Sequence, residues 1–196
     1  MKTVVYFVAA ILFSVFAFIV FRIIVRQSYR RRGRLTPGAA LLELLVWSSY
    51  VCFPYLYNPP EWTNFWSATV PVSPSMRIVG IIITLLGFGC AFGTMLWFGL
   101  RRAFGLKVEG LVQSGPYRLS RNPQLVGMSL LVLGTLVLWP SCYALGWMLL
   151  AGIAAQLMVL TEEEHLLGVF GAEYARYCQQ VPRYLGFSRR QRPTST

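Results

Sequence analysis

The sequence predicts an all-α integral membrane protein: about five transmembrane helices, the last two a hairpin, plus an amphipathic C-terminal helix on the cytosolic side. Three observations carry this. Hydrophobic residues make up 56% of the 196 and charged ones only 13%, where a soluble domain has about a quarter charged. Apolar runs long enough to cross a bilayer recur along the chain. The basic residues between them gather on alternate connections, as the positive-inside rule requires.

Val4 to Val25 is the first such run. It lacks a small-residue cleavage site at its end and is followed by arginines, so it reads as a retained span and not a cleaved signal peptide. Ala39 to Tyr57 is the second, closed by the Asn58-Pro59-Pro60 breaker. Met76 to Leu100 is the third. Gln124 to Trp139 and Tyr143 to Thr161 are the fourth and fifth, joined by Pro140-Ser141; the fourth is short, which favours a tight hairpin. No polar linker separates two domains, so residues 1–196 form one membrane domain: 1–75 hold the N-terminal spans and outer loop, and 188–196 a basic tail.

One side of the membrane receives Arg22, Arg26, Arg30, Arg31, Arg32 and Arg34, then Arg101, Arg102, Lys107, Arg118 and Arg121, then Arg176, Arg183, Arg189, Arg190 and Arg192. The other receives Lys2 and Arg77, with Trp62, Phe65 and Trp66 as an interfacial belt. The N-terminus is therefore expected outside and the C-terminus in the cytosol. The formal net charge of +11 raises nucleic acid as a partner. Interleaving of the basic residues with apolar spans points instead to topology signals and anionic headgroups, and no nucleic-acid partner is expected. Compactness and short loops favour a prokaryotic inner membrane over the endoplasmic reticulum. Cys52, Cys90, Cys142 and Cys178 show no metal or redox spacing, so no metal is expected and free thiols are the default; a Cys52–Cys142 disulfide on the outer side stays open.

The stretch from Glu109 to Tyr184 departs from generic membrane sequence. Gly115-Pro116-Tyr117 reads as a turn with glycine at positive φ, and Arg121-Asn122-Pro123 opens the fourth span with Asn122 as its N-cap. In Glu162-Glu163-Glu164, Glu163 shares a helical stripe with Leu166, Leu167, Phe170 and Tyr174, Glu162 flanks it, and Glu164 points towards Gly168 and Gly171. Carboxylates on an apolar face must find a partner or take up a proton, so they are expected to meet Arg121 or a cationic ligand. His165, the sole histidine, reads as a polar-face or headgroup-level residue. Gly80, Gly87, Gly89 and Gly93 form a small-residue stripe suited to close helix packing, or more sharply to a cofactor-facing groove. Glu43 is expected to meet one of the arginines Arg30 to Arg32, with a place in an acceptor pocket as the alternative.

Leu111-Val112-x-Ser114-Gly115-x-Tyr117, Arg121-Asn122-Pro123, Glu162-Glu163 and Phe170-Gly171-x-x-Tyr174-x-x-Tyr177 together resemble the isoprenylcysteine carboxyl methyltransferase and phospholipid methyltransferase superfamily, over roughly Gly80 to Leu185. The resemblance implies an integral membrane enzyme using S-adenosylmethionine, bound on the cytosolic side within a core at 76–187. It implies that Glu109, Gly110, Leu111 and Val112 line the cofactor, partly through backbone groups. Gly115, Tyr117 and the Arg121, Asn122, Pro123 and Gln124 turn would close its other side, while Glu162 would hold a polar group with Glu163 beside it. Gly87-Phe88-Gly89 looks like the glycine pair that phospholipid N-methyltransferases set against the same cofactor. Catalytic roles would fall on Arg121, Asn122 and Glu162. Three positions depart from the pattern: Asn122 stands for the family's histidine, Leu125 for a common tyrosine, and Met158 for the arginine that meets a prenylcysteine carboxylate. Asparagine cannot carry charge, and the missing arginine argues against a carboxylate of that kind as acceptor.

The expected function is methyl transfer from S-adenosylmethionine to a lipophilic or membrane-partitioning acceptor, a thiol, carboxylate or amine. An amine has to lose a proton before attack, and the sequence presents no clear base for that. The alternatives are an NADPH-dependent reductase of the sterol-reductase type, and an inactive family member that binds lipid or a partner.

Overall fold

The computed structural model describes residues 2–57, 71–99 and 110–186. Glu109, the Asn58-Pro59-Pro60 breaker, the aromatic belt at Trp62, Phe65 and Trp66, the basic residues Arg101, Arg102 and Lys107, and Arg189, Arg190 and Arg192 lie outside them. All described regular structure is helical: α1 (Lys2–Phe18) runs through a π-helical stretch (Ile19–Val25) into α2 (Arg26–Arg32), followed by α3 (Pro37–Tyr57), α4 (Pro74–Phe98), a 3-10 turn (Gly115–Arg118), α5 (Pro123–Leu138) and α6 (Cys142–Gln180).

Local chemistry sets the ends. The αL residue Gly33 stops α2, its N–H on the Tyr29 carbonyl at 2.9 Å. Ser73 caps α4 ahead of Pro74 and accepts from the Met76 N–H; Ser141 does the same for α6 through the Ala144 N–H. Three helices are long and apolar enough to cross a membrane, Val4–Arg32, Pro74–Phe98 and Cys142–Gln180; Pro37–Phe53 and Pro123–Leu138 are apolar but shorter. Outward-facing Phe7, Leu12, Leu85, Leu96 and Leu149 are exposed, the pattern of helices that meet lipid on one side.

The acidic segment continues the fifth predicted span without a helical break as far as Phe170; at Gly171 (φ 48°, ψ −120°) the backbone leaves helical geometry and a further helical stretch runs on to Gln180, so α6 is two helices joined at a kink. The last two predicted spans are joined through Trp139, Pro140 and Ser141 and touch each other, but α5 packs mainly on α4. Glycines cause this. A Cβ on Gly87 would collide with the backbone of Leu131, one on Gly127 with Ala91, and one on Gly134 with Thr84, so the two backbones touch where side chains are missing. Of the stripe, Gly80 and Gly87 serve this packing, Gly89 and Gly93 meet only open space, and none of the four lines the cavity described below.

A second block joins α1, α3 and α6. Ala17, Val20, Phe21, Val46 and Ala154 are fully buried in it. Tyr50 stacks on Trp147 with ring centroids 4.7 Å apart, and the Trp147 indole donates to the Tyr50 carbonyl at 3.1 Å. Thr161 donates to the Phe21 carbonyl inside the π-helical stretch and accepts from Arg22. Glu164 holds Arg26 and Arg30, each at 2.7 Å, and so ties α2 to the acidic segment of α6. All four cysteines are free thiols.

Candidate functional site

At the end of the bundle where the arginines collect, α2, α3, α4, α5 and α6 surround a cavity of about 410 Å³, within the usual range of small-molecule sites. The turn before α5 closes one side. Gly115, at φ 57°, starts the 3-10 turn as the sequence predicts, and sits so close to the Trp97 ring that any side chain there would clash. The Tyr177 hydroxyl donates to the Tyr117 carbonyl at 2.7 Å and pins that turn to α6. Burial pushes the Tyr117 phenol up from its ordinary value, and the Glu162 carboxylate adds to the push.

The next three residues clip the turn to the end of the chain. The Arg121 N–H donates to the Pro182 carbonyl at 2.9 Å, and the Ser120 hydroxyl and the Asn122 amide both donate to the Arg183 carbonyl. Asn122 therefore does not cap α5 with its side chain, contrary to the sequence expectation; its Nδ2 is a tether. The Arg121 guanidinium turns inward, 2.7 Å from Glu163 and 2.8 Å from the Cys178 sulfur. Arg183 approaches the same carboxylate from the far side as a two-point pair, at 3.0 and 2.6 Å, and Glu163 holds its guanidinium above its usual value.

Adjacent carboxylates thus part company. Glu163 is 15% exposed and neutralised by two arginines. Glu164 faces α1 and α2. Glu162 lines the cavity and makes no ion pair or hydrogen bond among the described residues. Glu43 does not reach the arginines expected for it, Arg30 being taken by Glu164. It opens onto the same cavity, also unpaired, and within electrostatic range of Glu162. His165 is not at a headgroup-level surface: its ring stacks on Tyr29 at 4.1 Å, and its Nε2 is buried at the cavity wall without a partner. Arg121 Nε and Gln124 Nε2 are buried and unpartnered at the same wall.

Of the residues predicted from sequence, the cavity brings together Gly110, Leu111, Val112, Tyr117, Arg121, Asn122, Gln124, Glu162 and Glu163. Gly115 and Pro123 shape the turn without lining the cavity: Gly115 packs on Trp97, and buried Pro123 begins α5. Leu125 and Met158, two of the departures from the family pattern, are part of the wall. The sequence reading missed His165 as a wall residue and Arg183 as the brace of Glu163, since an isolated histidine and a tail arginine give no periodic signal. Among the described residues no group of three or more His, Cys, Asp or Glu side chains stands ready for a metal ion.

Three unpartnered nitrogens, on Arg121, Gln124 and His165, and two carboxylates unpaired among the described residues, Glu162 and Glu43, in a mostly apolar cavity suit a small zwitterion or cation with apolar parts. No curated protein matches the chain. A family model described as phospholipid methyltransferase matches residues 75–173, from the start of α4 through the turn, α5 and most of α6. That match spans half of the chain and contains the turn, Arg121 and the three glutamates, and by it the protein belongs to the phospholipid methyltransferase family.

Proposed function

We propose that this chain is an S-adenosylmethionine-dependent methyltransferase acting on a lipophilic, membrane-partitioning acceptor, with residues 76–187 as its core. The unpaired Glu162 carboxylate, in a cavity whose lining arginine Arg121 is already matched by Glu163, is the observation that carries the reading. S-adenosylmethionine supplies a sulfonium-bound methyl carbon open to in-line displacement. Glu162 offers that cationic molecule its counter-charge, and the Arg121 Nε and Gln124 Nε2 donors suit a carboxylate. Leu111, Val112 and Tyr117 offer apolar and backbone surface for a flat ring. Arg121, held by Glu163 and braced through Arg183, keeps its donors in place without rearrangement. Apolar walls exclude water, which this class of displacement needs more than an elaborate base. Topology follows the charge bias: N-terminus outside, C-terminus cytosolic, cofactor from the cytosol and acceptor from the lipid.

The test is transfer of label from methyl-labelled S-adenosylmethionine into a membrane lipid extract, counted in the organic phase. Label that depends on the protein and is lost in Glu162→Ala supports the proposal. No label in any fraction with folded protein opposes it.

A further inference from the structure

We infer that Glu43, which lies in α3 and outside the family-matched segment, is a specificity-determining residue of the acceptor end of the cavity: its carboxylate anchors a protonated nitrogen and takes its proton. This rests on the proposed methyltransferase reading.

The cavity wall holds two unpaired carboxylates, Glu162 and Glu43, and no unpaired cation among the described residues, because Arg121 is matched by Glu163. A cofactor bearing one net positive charge answers Glu162 alone. Glu43 then remains, on the helix face that also presents Ala40, Leu44 and Trp47 to the cavity. Two carboxylates facing one apolar space must share a proton or meet a second cation, and a cationic acceptor head would supply one. The cavity lining also includes Met158, an apolar side chain that offers an anionic acceptor nothing. The acceptor end is thus negative and greasy, the complement of an amphiphile with an ammonium head.

The proton step balances without any further reactant. The ammonium N–H bond breaks, its electron pair stays on nitrogen as the lone pair needed for attack, and the proton moves to a Glu43 oxygen. It leaves to water when the product departs. The other ionisable groups facing the cavity are Tyr29 from α2, Tyr117 and Arg121 from the turn, and Glu162, Glu163, His165, Tyr174 and Tyr177 from α6. Arg121 and Glu163 are mutually neutralised, and Tyr177 already donates to the Tyr117 carbonyl, so neither the pair nor that phenol is a free acceptor.

The experiment compares dodecylamine, dodecanethiol and dodecanoate as acceptors of equal chain length with the purified full chain. It also measures S-adenosylhomocysteine affinity, and mass-spectrometric labelling of Glu43 by a hydrophobic carbodiimide with and without decyltrimethylammonium. The expected result is amine preferred about tenfold or more, the scale of one charge-assisted contact. Glu43→Gln should lose that preference and Glu43→Asp regain part of it, both with unchanged S-adenosylhomocysteine affinity. Decyltrimethylammonium should protect Glu43 from the carbodiimide. Preference for the thiol or carboxylate, no transfer to any of the three, unchanged amine turnover in Glu43→Gln, or a parallel fall in S-adenosylhomocysteine affinity would each overturn the inference. Failure of the unmodified chain to bind S-adenosylhomocysteine would instead strike the methyltransferase reading itself.

Discussion

Arg121 Nη1 lies 2.7 Å from Glu163, and this single pair ties the turn that opens α5 to the acidic segment of α6. Both side chains are nearly buried, at 12% and 15% exposure. Such a pair is poor evidence of net stabilisation, because desolvation offsets much of the attraction. Breaking it is another matter. Glu163→Ala leaves two guanidinium groups facing an empty site and should destabilise the protein by about 3–5 kcal/mol. Thermal unfolding in detergent checks this. Arg183→Ala, which removes the more exposed partner, should cost clearly less.

Helix packing gives a sharper contrast. Gly87→Ala drives a methyl into the Leu131 backbone of α5 and should cost about 1–3 kcal/mol or more through overpacking. Gly89→Ala, two positions away and facing open space, should be neutral or gain about 0.5–1 kcal/mol from helix propensity. The unfolding midpoint should fall for Gly87→Ala and stay or rise for Gly89→Ala.

Membrane class, helix content and the pairing of the turn with the Glu162 segment were all legible before any coordinates. They follow from hydropathy, charge bias and a motif whose glycine, proline and acidic residues have strong local preferences. Partnerships were harder. The stripe of glutamates gives their faces on α6 and Arg121 as a partner, which Glu163 meets; it does not give Arg26 and Arg30 as the partners of Glu164. Glu43 was assigned to Arg30–Arg32 by proximity in sequence, whereas Gly33 ends α2 at a turn and Glu164 captures Arg30 first. The α4–α5 pairing was hidden because hydropathy does not say which helix a span's small residues meet; backbone contact at Gly87, Gly127 and Gly134 decides it.

Turn geometry is open to a direct check. Tyr177→Phe deletes the 2.7 Å hydrogen bond to the Tyr117 carbonyl while keeping the ring. It should cost about 0.5–1.5 kcal/mol. S-adenosylhomocysteine affinity should weaken severalfold with little change in helix content, as read by calorimetry and far-ultraviolet circular dichroism.

Isothermal titration of the detergent-solubilised protein with S-adenosylhomocysteine, run beside NADPH, bears most directly on a donor molecule held against Glu162. Saturable one-to-one heat with S-adenosylhomocysteine and none with NADPH is predicted, weakened about tenfold or more in Glu162→Ala but not in Glu164→Ala. Absence of heat from the folded protein, or binding indifferent to Glu162→Ala, would contradict the account.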